Sequence, residues 1–170
     1  NRFVLKCNHD SGSTIICLDK SQFDLEMAKK KLNFHLKRNL YHVTREWHYK
    51  NISAQIICEE YIDLFDTQCP MIPTTCRIHC FHGQPHYAEL DISDTKGCEY
   101  INVYDTQWQL QPFTLEDPNT PEYIEKPLQF DNMLTLANKL ANGFAYCRVD
   151  FLMSETTLLF SEMTFAPNAG

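Results

Sequence analysis

Two stretches of sequence decide the fold of this chain: Arg148-Val149-Asp150-Phe151-Leu152-Met153 and Leu158-Leu159-Phe160-Ser161-Glu162-Met163-Thr164. Both are rich in apolar, β-branched and aromatic residues, a composition that predicts β-strands. The short polar segment Ser154-Glu155-Thr156 separates them, so we expect an antiparallel hairpin. A turn of that length places position 152 opposite 158 and position 148 opposite 162.

Three charged side chains of this hairpin, Arg148, Asp150 and Glu162, are expected on one face, because alternate residues of a strand point to the same side. Two carboxylates beside an arginine on otherwise apolar strands are costly to bury unless they bind a cation or pair among themselves. Magnesium bound with phosphate oxygens is one answer, since it takes one or two carboxylates and completes its shell with water and phosphate. A structural arginine–carboxylate salt bridge fits these residues equally well.

The rest of the chain alternates between strand-like and helical patterns. Strands are predicted at 2–7, 14–18, 54–60, 76–81, 86–90 and 100–104, and helices at 22–38, capped by Ser21, and from 130 to 141. The apolar run at 54–60 predicts a buried strand, whereas the proline-containing, aperiodic stretch at 111–126 predicts a surface loop. This order of elements predicts an α+β protein of two lobes.

Composition narrows the class of protein. The 170 residues carry a formal net charge of -7, and the only basic cluster, Lys29-Lys30-Lys31, is expected on the solvent side of a helix, which argues against a nucleic-acid partner. No apolar stretch approaches the roughly 20 residues of a membrane helix. Cys7, Cys17, Cys58, Cys80 and Cys147 lie in strand-like runs without a preceding signal peptide, so we expect reduced core thiols in a cytoplasmic protein. Both ends look cut from a longer protein.

The N-terminal hairpin offers a second group of candidate residues. Lys6 ends a strand that faces a loop of small polar residues at 8–13. Such a loop can cover phosphates with backbone N–H groups while the lysine supplies a point charge; an ordinary polar hairpin tip explains the same residues. The segment 59–62 also has two interpretations. It can offer backbone groups to an adenine edge and a carboxylate to a ribose, or it can be an ordinary exposed acidic strand end.

Five segments, in order along the chain, resemble the motifs of the TupA-like ATP-grasp family. They are Val4-Leu5-Lys6-Cys7-Asn8-His9-Asp10-Ser11-Gly12, Ile56-Ile57-Cys58-Glu59-Glu60-Tyr61, Cys80-Phe81-His82-Gly83-Gln84-Pro85, Arg148-Val149-Asp150-Phe151 and Phe160-Ser161-Glu162-Met163-Thr164-Phe165-Ala166-Pro167. That family is associated with teichuronopeptide and other polysaccharide biosynthesis. The resemblance implies an α+β fold in which a small lobe, 1–65, and a large lobe, 66–170, clamp ATP, with an N-terminal pre-ATP-grasp region missing.

The resemblance also implies an ATP-dependent ligase that phosphorylates a carboxylate and lets an amine attack the acyl phosphate. The residues implied to bind ATP are Lys6 at the α and β phosphates, Ser11, Gly12 and Ser13 in a phosphate lid, and Glu59, Glu60, Tyr61 and Ile62 at the adenine. Asp63 or Asp66 is implied at the ribose.

Further residues are implied at the metal and the transferring phosphoryl group. Asp150 and Glu162 resemble the magnesium ligands of the family, and Thr164 stands where the wider superfamily often has an asparagine ligand. Arg148 is implied to steady the phosphoryl group as its charge develops. Arg77 stands where the family usually has a lysine. All these groups are expected to line one cleft between the lobes.

Three other classes of function remain open. A nucleotide-sugar glycosyltransferase would want a metal-binding Asp-x-Asp, and Asp91-Ile92-Ser93-Asp94 has a different spacing. A zinc-binding module would use Cys69, Cys76, His79, Cys80 and His82, which lack the close pairs that zinc sites prefer. The third class is a nucleotide-binding protein that keeps the fold but has no ligase activity.

Overall fold

The computed structural model describes residues 2–63, 75–93, 98–154 and 156–167. The chain divides into two compact units, one formed by Asn1–Asp63 with Ala166–Gly170 and the other by Leu64–Phe165. Each unit contains its own antiparallel sheet. Asp66, predicted at the ribose, lies outside the described residues, as do Cys69 and Asp94 of the alternative sites.

The first unit is built on a three-stranded sheet with the order β2-β1-β3. Its strands are β1 (Phe3–Cys7), β2 (Ile15–Cys17) and β3 (Ile56–Glu60), and its helices are α1 (Leu25–Leu36) and the short α2 (Tyr41–Thr44). Helix α1 packs against β1, and the small core between them is formed by Cys7, Ile15, Ala28 and Leu32. The N-terminal hairpin predicted from the sequence is confirmed.

Helix α1 begins at Leu25 rather than at 22, and its cap is not Ser21. The Asp24 carboxylate accepts a hydrogen bond from the Met27 N–H at 2.8 Å, which satisfies one of the unpaired donors of the first turn. Ser21 instead donates its hydroxyl to Asp19, in a 3-10 turn that precedes the helix. Two capping sequences follow each other here, and the aspartate nearer the apolar stripe starts the helix.

Strand β3 is exposed along its whole length, so the prediction of a buried strand at 54–60 is wrong. Among the described residues the strand pairs only with β1, and none of its residues joins the core beneath α1. Cys58 is therefore exposed, whereas Cys7, Cys17, Cys80 and Cys147 are buried as expected. An edge position explains why an apolar run here does not mean burial.

The second unit is built on a five-stranded antiparallel sheet with the order β6-β5-β4-β7-β8. Its elements are β4 (Thr75–Phe81), β5 (Gln84–Ser93), β6 (Glu99–Asp105), α3 (Phe130–Ala141), β7 (Tyr146–Met153) and β8 (Leu158–Thr164). Helix α3 packs on β4, β5 and β7 and buries Phe130 and Met133 against Ile78, Leu90 and Val149. One face of the sheet is thus filled by the apolar core, and the residues between those core positions point to the opposite face.

The turn between β4 and β5 has two residues, His82 and Gly83, with φ angles of 49° and 77°. A pair of positive φ angles is typical of a type I′ turn, whose twist matches that of the strands it joins. The turn is shorter than the gap at 82–85 between the strands predicted at 76–81 and 86–90, because β5 begins at Gln84. The His82 N–H donates to the Ala145 carbonyl at 2.8 Å, which fixes the turn beside the start of β7.

The C-terminal hairpin has a different register from the one predicted. Leu152 lies opposite Leu159 rather than position 158, and Arg148 lies opposite Thr164 rather than position 162. A β-bulge between these pairs inserts Ser161, because Phe151 faces Phe160 while Asp150 faces Glu162. Phe160 and Glu162 therefore point to opposite faces, whereas the alternation expected along a regular strand puts positions 160 and 162 on the same face.

The stretch 111–126 forms no helix or strand, as predicted. Hydrogen bonds hold it to β6 and to Trp108: the Ile101 N–H donates to the Pro118 carbonyl at 3.1 Å, the Thr120 N–H donates to Asn102 Oδ1 at 2.9 Å, and Trp108 Nε1 donates to the Ile124 carbonyl at 3.0 Å. Elsewhere the sequence predicted the helix at 130–141 and the strands of the second unit well. Among the described residues, no helix has the length and apolar character that crossing a membrane requires.

Candidate functional site

The face of the second unit's sheet opposite its core carries a network of charged side chains. Arg77 on β4 lies directly across from Glu89 on β5 and Asp150 on β7. Its Nη1 atom donates to Glu89 Oε1 at 2.5 Å and to Asp91 Oδ1 at 2.6 Å, and its Nε atom lies 3.9 Å from Asp150 Oδ2. The charge of Arg77 is thus surrounded by three carboxylates.

Arg148 holds Asp150 through both of its oxygen atoms. Arg148 Nε donates to Oδ1 and Nη2 donates to Oδ2, each at 2.8 Å. The Asp150 side chain is only 5% exposed and that of Arg148 16%. This is the salt bridge that the sequence allowed as one of two interpretations. A bidentate pair occupies one lone pair of each carboxylate oxygen and leaves others available for a cation.

Glu162 is the exposed member of the carboxylate pair. It lies directly opposite Asp150 across β7 and β8, and within the described residues no ion pair involves it. Thr164 lies opposite Arg148, and its Oγ1 atom is 3.5 Å from Arg148 Nη2. The structure therefore brings together Arg77, Arg148, Asp150, Glu162 and Thr164 on one face of one sheet.

The network continues from Glu89 to two residues that the sequence analysis did not assign to the site. His79 Nε2 donates to Glu89 Oε2 at 2.8 Å, and the Tyr146 hydroxyl lies 3.0 Å from His79 Nδ1. Because the carboxylate can only accept, the ring proton is placed on Nε2, and Nδ1 of the neutral ring accepts from Tyr146. The sequence signal was present: charged or polar residues alternate with apolar ones in both β4 and β5.

Charge pairing and burial shift the pKa values of this network in opposite directions. Burial by itself raises the pKa of Glu89, but hydrogen bonds from His79 and Arg77 outweigh it and hold the pKa at about 2. Burial raises the pKa of Asp91, which Arg77 offsets only in part. For Arg148 burial acts to lower the pKa, yet the paired Asp150 carboxylate raises it overall. Burial also acts to lower the pKa of Arg77, but Asp91 and Glu89 raise it overall, so both arginines stay charged.

In the first unit, Lys6 and the adenine segment lie on neighbouring strands. Lys6 Nζ is 2.7 Å from Glu59 Oε2, in an ion pair whose side chains are 38% and 47% exposed. Beyond Glu60 the chain is tied to the start of β1, because the Tyr61 N–H donates to the Arg2 carbonyl and Arg2 Nη1 donates to Asp63 at 2.9 Å. The Ile62 side chain is 44% exposed. Two parts of the candidate ATP site thus meet within one sheet.

The loop at 8–13 is anchored at both ends and exposed only at its tip. Ser13 is buried, and its hydroxyl accepts a hydrogen bond from the Cys7 N–H at 2.9 Å, so it supports the loop from beneath. The Asp10 carboxylate pairs with His35 on α1 and accepts from the Ser11 N–H at 2.8 Å. Ser11 and Gly12 form the exposed tip, where Gly12 has a φ of 85° that favours glycine.

The residues of the zinc hypothesis do not converge. Cys76 and Cys80 point into the apolar core, whereas His79 lies on the charged face. Burial raises the pKa of the Cys80 thiol to about 12, with the neighbouring Cys147 adding to the effect, so thiolate is disfavoured there. Within the described part of the chain, no group of three or more His, Cys, Asp or Glu side chains could hold a metal ion.

Comparison with known proteins identifies the fold. The model of the family described as TupA-like ATPgrasp matches residues 1–170, the whole chain. This chain belongs to that family. The resemblance drawn from the five sequence motifs is confirmed, and so is the α+β ATP-grasp fold. No curated protein shows significant sequence similarity to it.

Solved structures with the ATP-grasp fold are similar to this family member. The D-alanine--D-alanine ligase of Bacillus anthracis complexed with ATP superimposes with a TM-score of 0.50 at 18% identity, covering 99% of this chain and 42% of the ligase. Another structure of that ligase gives 0.49 at 18% identity, covering 100% and 45%. The ATP-grasp ligase PsnB, with Mg and ADP, gives 0.48 at 10% identity, covering 100% and 39%. The chain thus spans less than half of each of these proteins.

Proposed function

We propose that this ATP-grasp chain is the nucleotide-binding part of an ATP-dependent ligase that joins a carboxylate to an amine through an acyl phosphate. The observation that carries the proposal is the pairing of Asp150 with Glu162 on a sheet face that also holds Arg77 and Arg148. An acyl-phosphate reaction needs a bound cation and fixed positive charge around the phosphates, and this face has the residues for both.

The side chains on this face fit magnesium. Asp150, Glu162 and Thr164 offer carboxylate and hydroxyl oxygens, the donor atoms that magnesium prefers. Within the described residues, the two guanidinium groups face the carboxylates of Glu89, Asp91, Asp150 and Glu162, which leaves an excess of two negative charges. A divalent cation with ATP would offset that excess. We propose that Asp150 and Glu162 hold it and that Thr164 is a weaker neighbour.

Each protein group has a distinct role in the proposed reaction. Magnesium, held by Asp150 and Glu162 when bound with ATP, would supply charge that neutralises the phosphates. Arg148, whose Nε and Nη2 atoms are held by Asp150, would present its remaining Nη1 atom to the transferring group. Arg77 keeps its own orientation through Glu89 and Asp91 and adds positive charge beside the carboxylate pair.

The first unit supplies the proposed contacts to the rest of the nucleotide. Lys6 would exchange its exposed partner Glu59 for the α and β phosphates, at little cost because an exposed ion pair contributes less than about 1 kcal/mol. The tip residues Ser11 and Gly12 would cover the phosphates with backbone N–H groups. The backbone of Glu60 and Ile62 would read the adenine.

The substrates and the pathway follow from the family resemblance alone. We propose a sugar acid or peptide carboxylate and an amine acceptor, in cytoplasmic synthesis of a polysaccharide or another surface polymer. Neither nucleic acid nor membrane insertion enters this proposal. Glycosyl transfer would be an alternative reaction for a protein of the same pathway.

The test is ATP turnover by the full-length protein, measured as ADP release with a panel of sugar acids and amino acids in the presence of Mg²⁺. We expect ADP release that depends on one acid of the panel, and loss of it in Glu162→Gln. ATP binding without ADP release on any acid would instead favour a nucleotide-binding protein without ligase activity. Cleavage of a nucleotide sugar with no ATP turnover would favour the glycosyltransferase.

A further inference from the structure

The proposed ligase reaction includes a proton transfer to which none of the residues assigned so far contributes. An amine that attacks an acyl phosphate arrives as an ammonium or becomes one, so a proton must leave it before the amide is complete. Asp150 is held by Arg148 through both oxygens, and Glu162 is assigned to the metal. The pKa of Glu89, lowered to about 2 by its partners, makes that carboxylate a poor base at neutral pH.

We propose that His79 and Tyr146 form the acid–base relay that takes the proton from the attacking amine, with Glu89 as the positioning residue behind them. The inference rests on the proposed ligase function. It is carried by an unbroken chain of hydrogen bonds: the Tyr146 hydroxyl to His79 Nδ1 at 3.0 Å, and His79 Nε2 to Glu89 Oε2 at 2.8 Å. Imidazole is the side chain best suited to exchange a proton near neutral pH.

The relay lies beside the residues assigned to phosphoryl transfer. His79 is directly opposite Arg148 in the pairing of β4 with β7, and Tyr146 precedes Arg148 by two positions on the same face. The His79 side chain is 17% exposed and that of Glu89 7%, while Tyr146 is partly exposed at the outer end of the chain of hydrogen bonds. The arrangement therefore has an open end for a substrate and a buried end that carries charge.

The charges around His79 allow it to accept a proton. The titratable or charged groups that face it are Arg77 on its own strand, Glu89 and Tyr87 on β5, and Tyr146 and Arg148 on β7. Glu89 makes the direct ionic contact, and an ionised carboxylate there stabilises an imidazolium as it forms. The two arginines oppose this, but each is already paired with carboxylates.

The proton moves from the amine to His79 as the amide bond forms. The amine nitrogen attacks the carbonyl carbon of the acyl phosphate, the C–N bond forms, and the C–O bond to phosphate breaks with its electron pair leaving on phosphate. The amine gives a proton to the Tyr146 oxygen while the Tyr146 hydroxyl proton passes to His79 Nδ1. Burial raises the pKa of Tyr146 to about 12, so the hydroxyl conducts the proton rather than storing it. His79 later releases the proton to solvent by the reverse route.

A comparison of two nucleophiles, hydroxylamine and an L-amino acid, tests the proton transfer separately from the rest of the reaction. With the full-length protein, ATP, Mg²⁺ and a panel of glucuronate, galacturonate, L-glutamate and D-alanine, hydroxylamine traps the acyl phosphate as a hydroxamate. It is largely uncharged at neutral pH, and its adduct is acidic enough to lose its proton to water, so its reaction does not depend on a base from the protein. An L-amino acid as acceptor does need one. In His79→Gln we expect hydroxamate formation at the wild-type rate and amide formation lowered about 100-fold or more, with the rise of rate with pH lost.

Matched variants control for structural damage. Tyr146→Phe keeps the volume and should also lower amide formation selectively, whereas His86→Gln, an exposed histidine on the next strand, should leave both rates unchanged. Equal losses of hydroxamate and amide in His79→Gln would overturn the relay and make His79 structural. Wild-type amide formation in that variant would overturn it as well. Absence of wild-type hydroxamate with every acid would count against the proposed function instead.

If no acid of the panel gives hydroxamate, a measurement without substrate still tests whether His79 and Tyr146 form the proposed relay. Long-range nitrogen NMR of the histidine rings reports which nitrogen carries the proton. We expect a neutral His79 ring with its proton on Nε2 at high pH, and a shifted Nδ1 signal in Tyr146→Phe. A ring that stays charged from about pH 5 to about pH 9, or a neutral ring protonated on Nδ1, could not accept the proton as proposed and would overturn the inference.

Discussion

Asp150 and Glu162 make different contacts, and this difference allows a sharp test of the metal site. Asp150→Asn removes one charge from a nearly buried bidentate pair, so Arg148 loses part of its compensation. The cost of unpairing a charged group in such a place is about 2 to 3 kcal/mol. For a chain of 170 residues this corresponds to a melting temperature lower by about 4 to 12 °C.

Glu162→Gln should behave in the opposite way without nucleotide. Glu162 is exposed, and no described residue forms an ion pair with it, so the free energy of unfolding should change by less than about 0.5 kcal/mol. Wild-type protein with Mg-ATP at about a hundred times its Kd gains about 2.7 kcal/mol. Both variants should lose most of this gain if Asp150 and Glu162 hold the cation.

Thermal unfolding of the wild type and both variants is measured with and without Mg-ATP. It compares the stability of each variant with that of the wild type in both conditions. Glu162→Gln is the decisive variant because its loss of nucleotide stabilisation is not accompanied by a structural defect. If it keeps the full Mg-ATP gain, the assignment of Glu162 to the metal is wrong. If Asp150→Asn melts well below wild type but keeps that gain, Asp150 serves only to hold Arg148.

Three further predictions concern residues outside the carboxylate pair. Replacing Lys6 with Gln should change the free energy of unfolding by less than about 1 kcal/mol, because its pair with Glu59 is exposed, while calorimetry should show much weaker ATP binding. Ser13→Ala should cost about 1 to 3 kcal/mol in urea unfolding, since the buried Cys7 N–H loses its acceptor; unchanged stability would contradict this. Glu89 has a pKa lowered from 4.5 to about 2, so its stabilisation is complete above pH 4.5 and lost as pH falls toward 2. Urea unfolding at several acidic pH values should show a smaller loss across that window in Glu89→Gln.

The sequence was sufficient to predict the larger elements because their signals are local. The apolar stripe of α3 and the alternation along β7 predict a helix and a strand directly, and the structure contains both. The family was recognisable from five ordered motifs, which do not depend on how the chain packs. Counting along two strands joined by a short turn placed Asp150 and Glu162 on one face, and they share that face because the bulge at Ser161 offsets a one-residue shift of the register at the turn.

The sequence-based predictions were wrong or incomplete where packing or strand pairing decides burial and side-chain neighbours. The exposure of β3 depends on its position at the edge of the sheet, which a run such as Ile56-Ile57 does not encode. His79 and Glu89 become neighbours only when β4 pairs with β5, so neither residue indicated a site by itself. For the same reason the partners of Asp150 could not be chosen: magnesium and Arg148 fit the sequence equally well.

Because of the bulge at Ser161, β8 contributes residues both to the apolar core and to the charged face of the sheet. Leu158 packs toward the core and Glu162 stands beside Asp150, although an even number of positions separates them in the chain. A regular strand of the present length would place Ser161 opposite Asp150 and turn Glu162 toward the apolar layer. Loss of Ser161 would instead remove the bulge and leave Glu162 opposite Asp150, and its exchange for another small polar residue would keep the present pairing. The bulge, rather than the identity of the residue in it, is thus what keeps Glu162 on the charged face in a strand of this length.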